Sequence, residues 1–306
     1  MRLEWTLGRL ATPADAALRA LLPPAVEAAA GGGNLPRVRV HSELGARGAD
    51  VASLTRIPAS RGRAVGGGVV VPSEAMRSGI VAMAPALAEQ TVVIPFPAPE
   101  AIYVWDDTRP VVEVTERFHL EERPRILAVA DWEQGQGLSR LLPLARSALG
   151  AGGELVLLGA APHRPRIAPL LAHLRLAETV VLLPEPTARE AAGLLHSADL
   201  LVQADASAAY PYWLRWAAAA GLPAVAQDSE TARDASGHAA LMVRADREDA
   251  WGPAVDRALT DLRLRETMIG RGRLAAEPSH LTHVAALWAE WLLARSRTGR
   301  RVFLAR

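Results

Sequence analysis

The sequence contains no cysteine and no lysine. The absence of cysteine excludes disulfides, thiolate metal ligands and a cysteine nucleophile. All 34 residues in the Lys+Arg total are arginine, which excludes a Schiff-base lysine and a lysine phosphate clamp. The formal net charge is only +1, whereas a general nucleic-acid-binding protein normally carries a strong basic excess. These absences exclude several kinds of chemistry and argue against a nucleic-acid partner.

Long hydrophobic runs are also absent. No stretch approaches the length of a transmembrane helix, and the opening MRLEWTLGRLATPAD lacks the apolar segment of a signal peptide. We therefore expect a cytoplasmic bacterial protein, with at most peripheral membrane contact through the arginines of residues 295–306. The chain does have 306 residues, of which 50% are hydrophobic, and this is enough for two domains with their own cores.

Short apolar segments alternate with helical segments in the first hundred residues. The predicted strands are Leu3–Leu7, Arg37–His41, Val51–Thr55, Gly68–Val71 and Thr91–Ile94, and the predicted helices are Ala16–Ala30 and Ser73–Ala88. This alternation predicts a parallel, doubly wound sheet. The polar segment Asp106–Pro124 follows, and we interpret it as an interdomain linker with a short strand at Val111–Val114.

The stretch Asp199–Asp228, DLLVQADASAAYPYWLRWAAAAGLPAVAQD, predicts a strand, a loop, a helix, a tight turn and a second strand. Gly221 ends the helix because glycine accepts the left-handed conformation, and Pro223 cannot extend it. The stretch resembles the signature segment of the group-1, family-4-like glycosyltransferases of the GT-B fold, which ends roughly E-A-M-A-x-G-x-P-V-V-A-x-D. The matching residues are Ala198, Asp199, Ala217, Ala219, Gly221, Pro223, Val225, Ala226 and Asp228.

The resemblance extends over about Ile126–Ala294, and the order of its segments is its specific part. RILAVADWEQGQGLSRLLPLARSAL, for example, is similar to the family's strand, loop and amphipathic helix. It implies an α/β protein of the GT-B fold, with two Rossmann-like domains, parallel sheets flanked by helices, and a shortened N-terminal domain. The expected boundaries are 1–108 for the N-terminal domain, 109–124 for the linker, 125–284 for the second domain, and 285–306 for a C-terminal helix that braces the first domain.

The residues that carry chemistry in this family are replaced. The family's two glutamates, eight residues apart, fall on Ala208 and Trp216. Its phosphate-binding arginine and lysine fall near Asp131 and on Gln136. Removing one charged stabiliser of a transition state costs about 2.7–4 kcal/mol. We therefore predict no catalytic residue and no metal ligand set, and whether the chain is an enzyme at all stays open.

Replacement groups are nevertheless present. His163, Arg164 and Arg166 follow a predicted strand that ends at Gly159, at the sheet edge where α/β proteins bind ligands. They form either a displaced phosphate clamp or an ordinary surface loop. Asp205 is the acid nearest to the first lost glutamate. The aromatic cluster of Tyr210, Tyr212, Trp213 and Trp216, with Arg215 inside it, is a stacking platform, a protein interface or core packing.

The candidate substrate- or nucleotide-binding residues are therefore Gln136, Gly137, His163, Arg164, Asp205, Ala208, Tyr210, Arg215 and Trp216. The implied ligand is a UDP- or GDP-sugar, without any other cofactor. The leading hypothesis is a glycosyltransferase-like protein that is catalytically impaired, or a non-catalytic partner or binding module. The alternatives are an active, diverged, metal-independent retaining hexosyltransferase, and a phosphosugar- or nucleotide-binding protein. A homodimer, or a heterodimer with a related glycosyltransferase, is compatible with the first hypothesis.

Overall fold

The computed structural model of the protein describes residues 3–6, 13–29, 38–41, 51–53, 68–130, 132, 137–147, 152–205 and 209–297. They form two compact units. The first consists of the described parts of Met1–Ala98, Ala208–Tyr212 and Pro278–Arg306. The second consists of the described parts of Pro99–Ser207 and Trp213–Glu277.

The described regular elements alternate along the chain. The strands are β1 (Leu3–Thr6), β2 (Val38–His41), β3 (Val51–Ser53), β4 (Val69–Val71), β5 (Thr91–Val93), β6 (Arg125–Val129), β7 (Glu154–Leu157), β8 (Val180–Leu182), β9 (Leu200–Gln203), β10 (Ala224–Gln227) and β11 (Leu241–Val243). The helices are α1 (Pro13–Ala29), α2 (Glu74–Met83), α3 (Arg109–Phe118), α4 (Leu138–Ser147), α5 (Arg164–His173), α6 (Ala188–His196), α7 (Tyr212–Ala220), α8 (Glu230–Ala235), α9 (Trp251–Thr260), α10 (Leu262–Ala276) and α11 (Leu281–Arg297).

The first unit contains a parallel sheet in which β1 to β5 lie side by side in chain order. The five predicted strands are confirmed to within two residues at each end, but the order is not that of a doubly wound sheet. Helix α2 begins at Ser73, whose hydroxyl accepts a hydrogen bond from the Met76 amide, and it buries Met76 and Ile80 against the sheet. Helix α11 packs against α1 in the same unit.

The second unit contains a six-stranded parallel sheet in the order β11-β10-β9-β6-β7-β8. Leu127 in the central strand β6 pairs with Val156 of β7 on one side and with Leu201 of β9 on the other. From β6 the chain continues to β7 and β8 on one side of the sheet, whereas from β9 it continues to β10 and β11 on the other side. A topological switch point therefore lies between β6 and β9. Ligands of open α/β sheets bind at the carboxyl ends of the strands at such a point.

The segment predicted to be an interdomain linker contains helix α3. Residues 111–114 were expected to form a short strand, but they lie within a helix that begins with Pro110 in its first turn, where a missing N–H costs nothing. The helix packs closely on α6: a Cβ built on Gly193 would lie 2.1 Å from the carbonyl oxygen of Pro110. Val114 is buried there. The segment is thus a packed helix of the second unit.

Two end features complete the fold. Helix α7 ends as predicted at Gly221, which has a φ of +75°. In the part of the chain that the structure describes, no helix is both long and apolar enough to cross a bilayer. The arginines that follow Arg297 in sequence, for which membrane contact was considered, lie outside the described residues.

Candidate functional site at the switch point

Arg140 lies at the switch point of the second sheet. It is the third residue of α4, the helix that follows the central strand β6. One of its terminal nitrogens donates to the carbonyl oxygen of Ala204, at 2.9 Å, and to Oε1 of Gln227, at 2.5 Å. Ala204 directly follows β9, and Gln227 is the last residue of β10. The guanidinium therefore bridges the carboxyl ends of two neighbouring strands.

Gly137 explains why α4 begins so close to these strands. A Cβ built on this glycine would lie 2.1 Å from the Cβ of Ala130 and 3.7 Å from that of Ala204. Any side chain would push the first turn of α4 away from the ends of β6 and β9. Gly137, a predicted binding residue, thus lies at the switch point with a clear packing role. Its predicted neighbour Gln136 lies outside the described residues.

Gln203 and Asp205 flank the residue that Arg140 contacts. The Gln203 amide nitrogen donates to Oδ1 of Asp205 at 2.7 Å, and the Gln203 residue is only 6% exposed. Among the residues that the structure describes, Oε1 of Gln203 and Nε of Arg140 are both buried without a hydrogen-bond partner. A buried polar atom without a partner is costly, and such atoms cluster where a ligand or water completes them. The predicted Asp205 is therefore part of a polar cluster with Arg140, Gln203 and Gln227.

His163 and Arg164 lie at the same edge of the sheet, in the segment that follows β7. His163 ends a short 3₁₀ turn, Ala161–His163, and Arg164 begins α5. One Arg164 nitrogen donates to the carbonyl oxygen of Leu182, the last residue of β8, at 3.4 Å. The Arg164 side chain is otherwise exposed. The structure thus places these two residues two strands away from β9, which carries Gln203 and Asp205.

The predicted aromatic cluster divides between the two units. In the first unit, the rings of Tyr210 and Tyr212 each stack on Phe96 with centroid distances of 5.4 Å, and all three residues are buried. In the second, Trp213 and Trp216 meet edge to face at 5.4 Å, and both are buried. This burial is the arrangement expected from core packing, the third interpretation of the cluster, because little ring area is left for stacking on a ligand.

Arg215 joins the ends of two helices. Its terminal nitrogens donate to the carbonyl oxygens of Ala275 in α10, at 2.6 Å, and Asp234 in α8, at 2.7 Å. A cation is favourable there because the last carbonyls of a helix carry partial negative charge. The Tyr103 hydroxyl donates to the neighbouring Ala276 carbonyl at 2.8 Å, and burial raises the pKa of Tyr103. These contacts give Arg215 a structural role in the second unit.

Two further predictions concern absences. Ala208, which takes the place of the first family glutamate, lies outside the described residues. Within the described ranges, no group of three or more histidine, aspartate or glutamate side chains is arranged to hold a metal ion. Arg140, Gln203 and Gln227 are not among the residues predicted from the sequence. The spacing of Arg140 three residues after Gly137, in the first turn of the helix after the central strand, was the available signal.

Comparisons with known proteins address the fold. No protein-family model matches the sequence, and no curated protein sequence matches it. Among solved structures, the chain is similar to a glycosyltransferase from Rickettsia africae, with 13% identity over 97% of this chain and 98% of that one and a TM-score of 0.69. It is also similar to Anabaena HepE in complex with UDP and glucose, with 12% identity, 96% and 100% coverage, and a TM-score of 0.70. The chain has a GT-B glycosyltransferase-like fold.

A third similar structure is WaaG, a glycosyltransferase involved in lipopolysaccharide biosynthesis, with 16% identity over 83% of this chain and 77% of that one and a TM-score of 0.66. At such low identities the likeness concerns the fold alone. The fold does not choose between an active and an impaired transferase, because chemistry depends on the groups in the site.

Proposed function

We propose that this protein is a glycosyltransferase-like binding module that holds a sugar nucleotide and has lost efficient glycosyl transfer. The observation that carries the loss of efficient transfer is Trp216. By resemblance, this position holds the glutamate that binds the ribose hydroxyls in active members of the family. Here the indole is 3% exposed and packs edge to face on Trp213. A carboxylate cannot be accommodated in such an apolar contact without a large desolvation cost.

The cationic groups support binding better than catalysis. The family's lysine position is Gln136, and its arginine position falls near the acidic Asp131. Arg140 provides a positive charge at the switch point, but Ala204 and Gln227 already engage one of its nitrogens. Transfer requires that the charge developing on a departing diphosphate is stabilised. An arginine that already donates to two protein oxygens can still help to bind the diphosphate of the sugar nucleotide. It provides less stabilisation of the charge that develops on this diphosphate in the transition state.

A sugar nucleotide is the ligand class that the neighbouring structures suggest. HepE has been solved with UDP and glucose, and with UDP-glucose, and the pneumococcal O-GlcNAc transferase GtfA has been solved with UDP and GlcNAc. We extend this class to the present chain as part of the proposal, with a UDP- or GDP-sugar as the ligand. A dimer with an active, related glycosyltransferase would give such a module a role in a transferase system.

The second candidate is an active, diverged, metal-independent retaining glycosyltransferase. Arg140 is the observation that favours it, because this half-buried cation lies at the switch point although both family cations are replaced. Asp205, His163 and Arg164 would then supply the other polar groups.

The two candidates are separated by measuring binding and turnover on the same preparation. Titration calorimetry with UDP, GDP, ADP and their common sugar conjugates tests binding, and release of free nucleotide from the bound conjugate tests turnover. We expect saturable binding of one nucleotide without its release above the rate in buffer. Release at the rates of ordinary transferases would establish the active alternative. The Arg164→Ala and His163→Ala variants show whether the outer loop contributes to affinity.

A further inference from the structure

The geometry points to a site for a phosphorylated sugar group, formed by Arg140 and Gln203 at the carboxyl ends of β6, β9 and β10. The Nε of Arg140 donates to a phosphate oxygen, and Oε1 of Gln203 accepts a hydrogen bond from a sugar hydroxyl. This inference rests on the proposed sugar-nucleotide binding and names the residues of the second unit that hold the phosphate and the sugar. It uses residues that the family resemblance does not assign.

The side chains of Arg140 and Gln203 are held beside the same backbone segment. Arg140 contacts the carbonyl of Ala204, the residue directly between Gln203 and Asp205. The Gln203 side chain is held by its bond to Asp205, and the Arg140 side chain is held by Gln227. Both groups are thus fixed next to the same short backbone segment. Such preorganisation lowers the entropic cost of binding.

One polar atom in each of the two side chains has no hydrogen-bond partner in the part of the chain that the structure describes. Within the described residues, Arg140 Nε is a buried donor without a partner, and Gln203 Oε1 is a buried acceptor without a partner. Among the described residues, Nε of Arg140 forms an ion pair with Oε1 of Glu248 at 4.0 Å, a separation that is beyond hydrogen-bonding distance. A ligand that satisfies both atoms must therefore present an acceptor to Nε and a donor to Oε1.

The chemistry of these two groups defines the class of ligand that they can bind. A guanidinium favours phosphate and carboxylate oxygens, because a charge-assisted hydrogen bond is about twice as strong as a neutral one. A neutral amide oxygen accepts a hydrogen bond from a hydroxyl group, which carries no charge. A phosphate ester with a neighbouring hydroxyl satisfies both requirements, and sugar 1-phosphates and sugar nucleotides contain this arrangement. Inorganic pyrophosphate satisfies the first requirement alone.

The test uses three probes on the full chain by titration calorimetry: glucose 1-phosphate, inorganic pyrophosphate and glucose. We expect the wild-type protein to bind the two phosphates and to bind glucose much more weakly. Arg140→Met should reduce the affinity for both phosphates by about 10- to 100-fold, because a hydrogen bond to a charged group is lost. Arg140→Lys, which keeps the charge but loses Nε, should recover only part of this affinity.

The role of Gln203 has a separate signature. Gln203→Met should lower the affinity for glucose 1-phosphate by about 3- to 10-fold and leave that for pyrophosphate within about twofold. Arg189→Met is the matched control, because it removes an exposed arginine of the second unit that pairs with Glu113, and it should leave all affinities unchanged. A thermal unfolding transition of each variant shows that it is folded. If Gln203→Met does not fold, Gln203→Glu takes its place. The affinity of Gln203→Glu for pyrophosphate should fall, because the new carboxylate repels the anion.

The outcomes separate this inference from the proposed function. Binding of glucose 1-phosphate that depends on Arg140, without binding of any nucleotide, would support the inference and contradict sugar-nucleotide binding. Nucleotide-sugar binding that is unchanged in Arg140→Met and Gln203→Met would overturn the inference and leave the proposed function standing. If wild-type protein binds none of the phosphates, the inference is wrong.

Discussion

The two edges of the second sheet each hold an arginine, and the two arginines differ in their partners. Arg125 is buried, and Arg140 is half-buried with 14% of its side chain exposed. At the amino edge, Arg125 begins β6, and its three guanidinium nitrogens donate to Glu154, Ser197 and Glu121. At the carboxyl edge, Arg140 has one nitrogen engaged by Ala204 and Gln227, and its Nε has no hydrogen-bond partner among the described residues. Burial alone therefore does not identify a functional arginine. A complete set of hydrogen bonds indicates a structural role, and an incomplete set leaves a polar atom that calls for another explanation, such as a ligand or a water molecule.

The largest expected effect is at the amino edge. Glu154 is 1% exposed, and its oxygens accept hydrogen bonds from Arg125 and from Arg123. Glu154→Ala leaves the charge of Arg125 buried without its carboxylate, and should lower the free energy of unfolding of the second unit by about 3–5 kcal/mol. Urea denaturation measures this loss. Glucose 1-phosphate affinity of the folded fraction should not change.

The exposed pair of Arg189 and Glu113 is the control for this experiment. Its side chains are 53% and 52% exposed, so solvent screens the attraction and Arg189→Met should leave the unfolding free energy unchanged. Equal losses in Glu154→Ala and Arg189→Met would show that the amino-edge network has no special structural role.

At the carboxyl edge, the expected stability change is smaller. Arg140→Met removes the hydrogen bonds to Ala204 and Gln227 but also removes a buried donor that has no described partner. The net loss of unfolding free energy should be about 1 kcal/mol or less. Arg125→Met, the same substitution at the other edge, should cost several times more because it leaves Glu154 unpaired. A loss in Arg140→Met as large as that in Arg125→Met would remove the distinction between the two edges.

The smallest expected effect concerns a turn at the amino edge. Arg175 follows α5 with a φ of +57°, and the next residue, Leu176, donates to the carbonyl of Leu171 as in a Schellman motif. Glycine adopts this left-handed conformation without the strain of a Cβ, so Arg175→Gly should raise the unfolding free energy by about 0.5–1 kcal/mol. Arg166→Gly, within α5, should lower it by about 1 kcal/mol. Denaturation midpoints test both, and a loss of stability in Arg175→Gly would contradict the prediction.

Much of the fold follows from local pattern. The strand, helix and turn predicted within Asp199–Asp228 are found as β9, α7 and Gly221, because apolar strands and a glycine helix end are local signals. Helix α3 was missed because its three valines favour a strand, and only the contact of Val114 and Pro110 with α6 decides for a helix. Strand order in the first unit was not predictable from alternation alone.

The site was less predictable. Gln136 and Trp216 stand where the family motif has a lysine and a glutamate. Recognising these replacements requires only that the sequence be aligned with the motif. Arg140 lies four residues after Gln136, and its contacts with Ala204 and Gln227 depend on β9 and β10 being neighbours in the sheet. Ala204 lies 64 positions and Gln227 lies 87 positions after Arg140 in the chain. Local pattern carries no information about contacts at that separation.

The most direct test of the account is one titration followed by one turnover measurement on the same protein. Wild-type chain is titrated with UDP-, GDP- and ADP-sugars, and the conjugate that binds is then incubated with the protein while release of its nucleotide is followed. The account predicts saturable binding that weakens about 10- to 100-fold in Arg140→Met, and nucleotide release no faster than in buffer. Release at the rate of an active transferase, or the absence of binding to every conjugate, would contradict it.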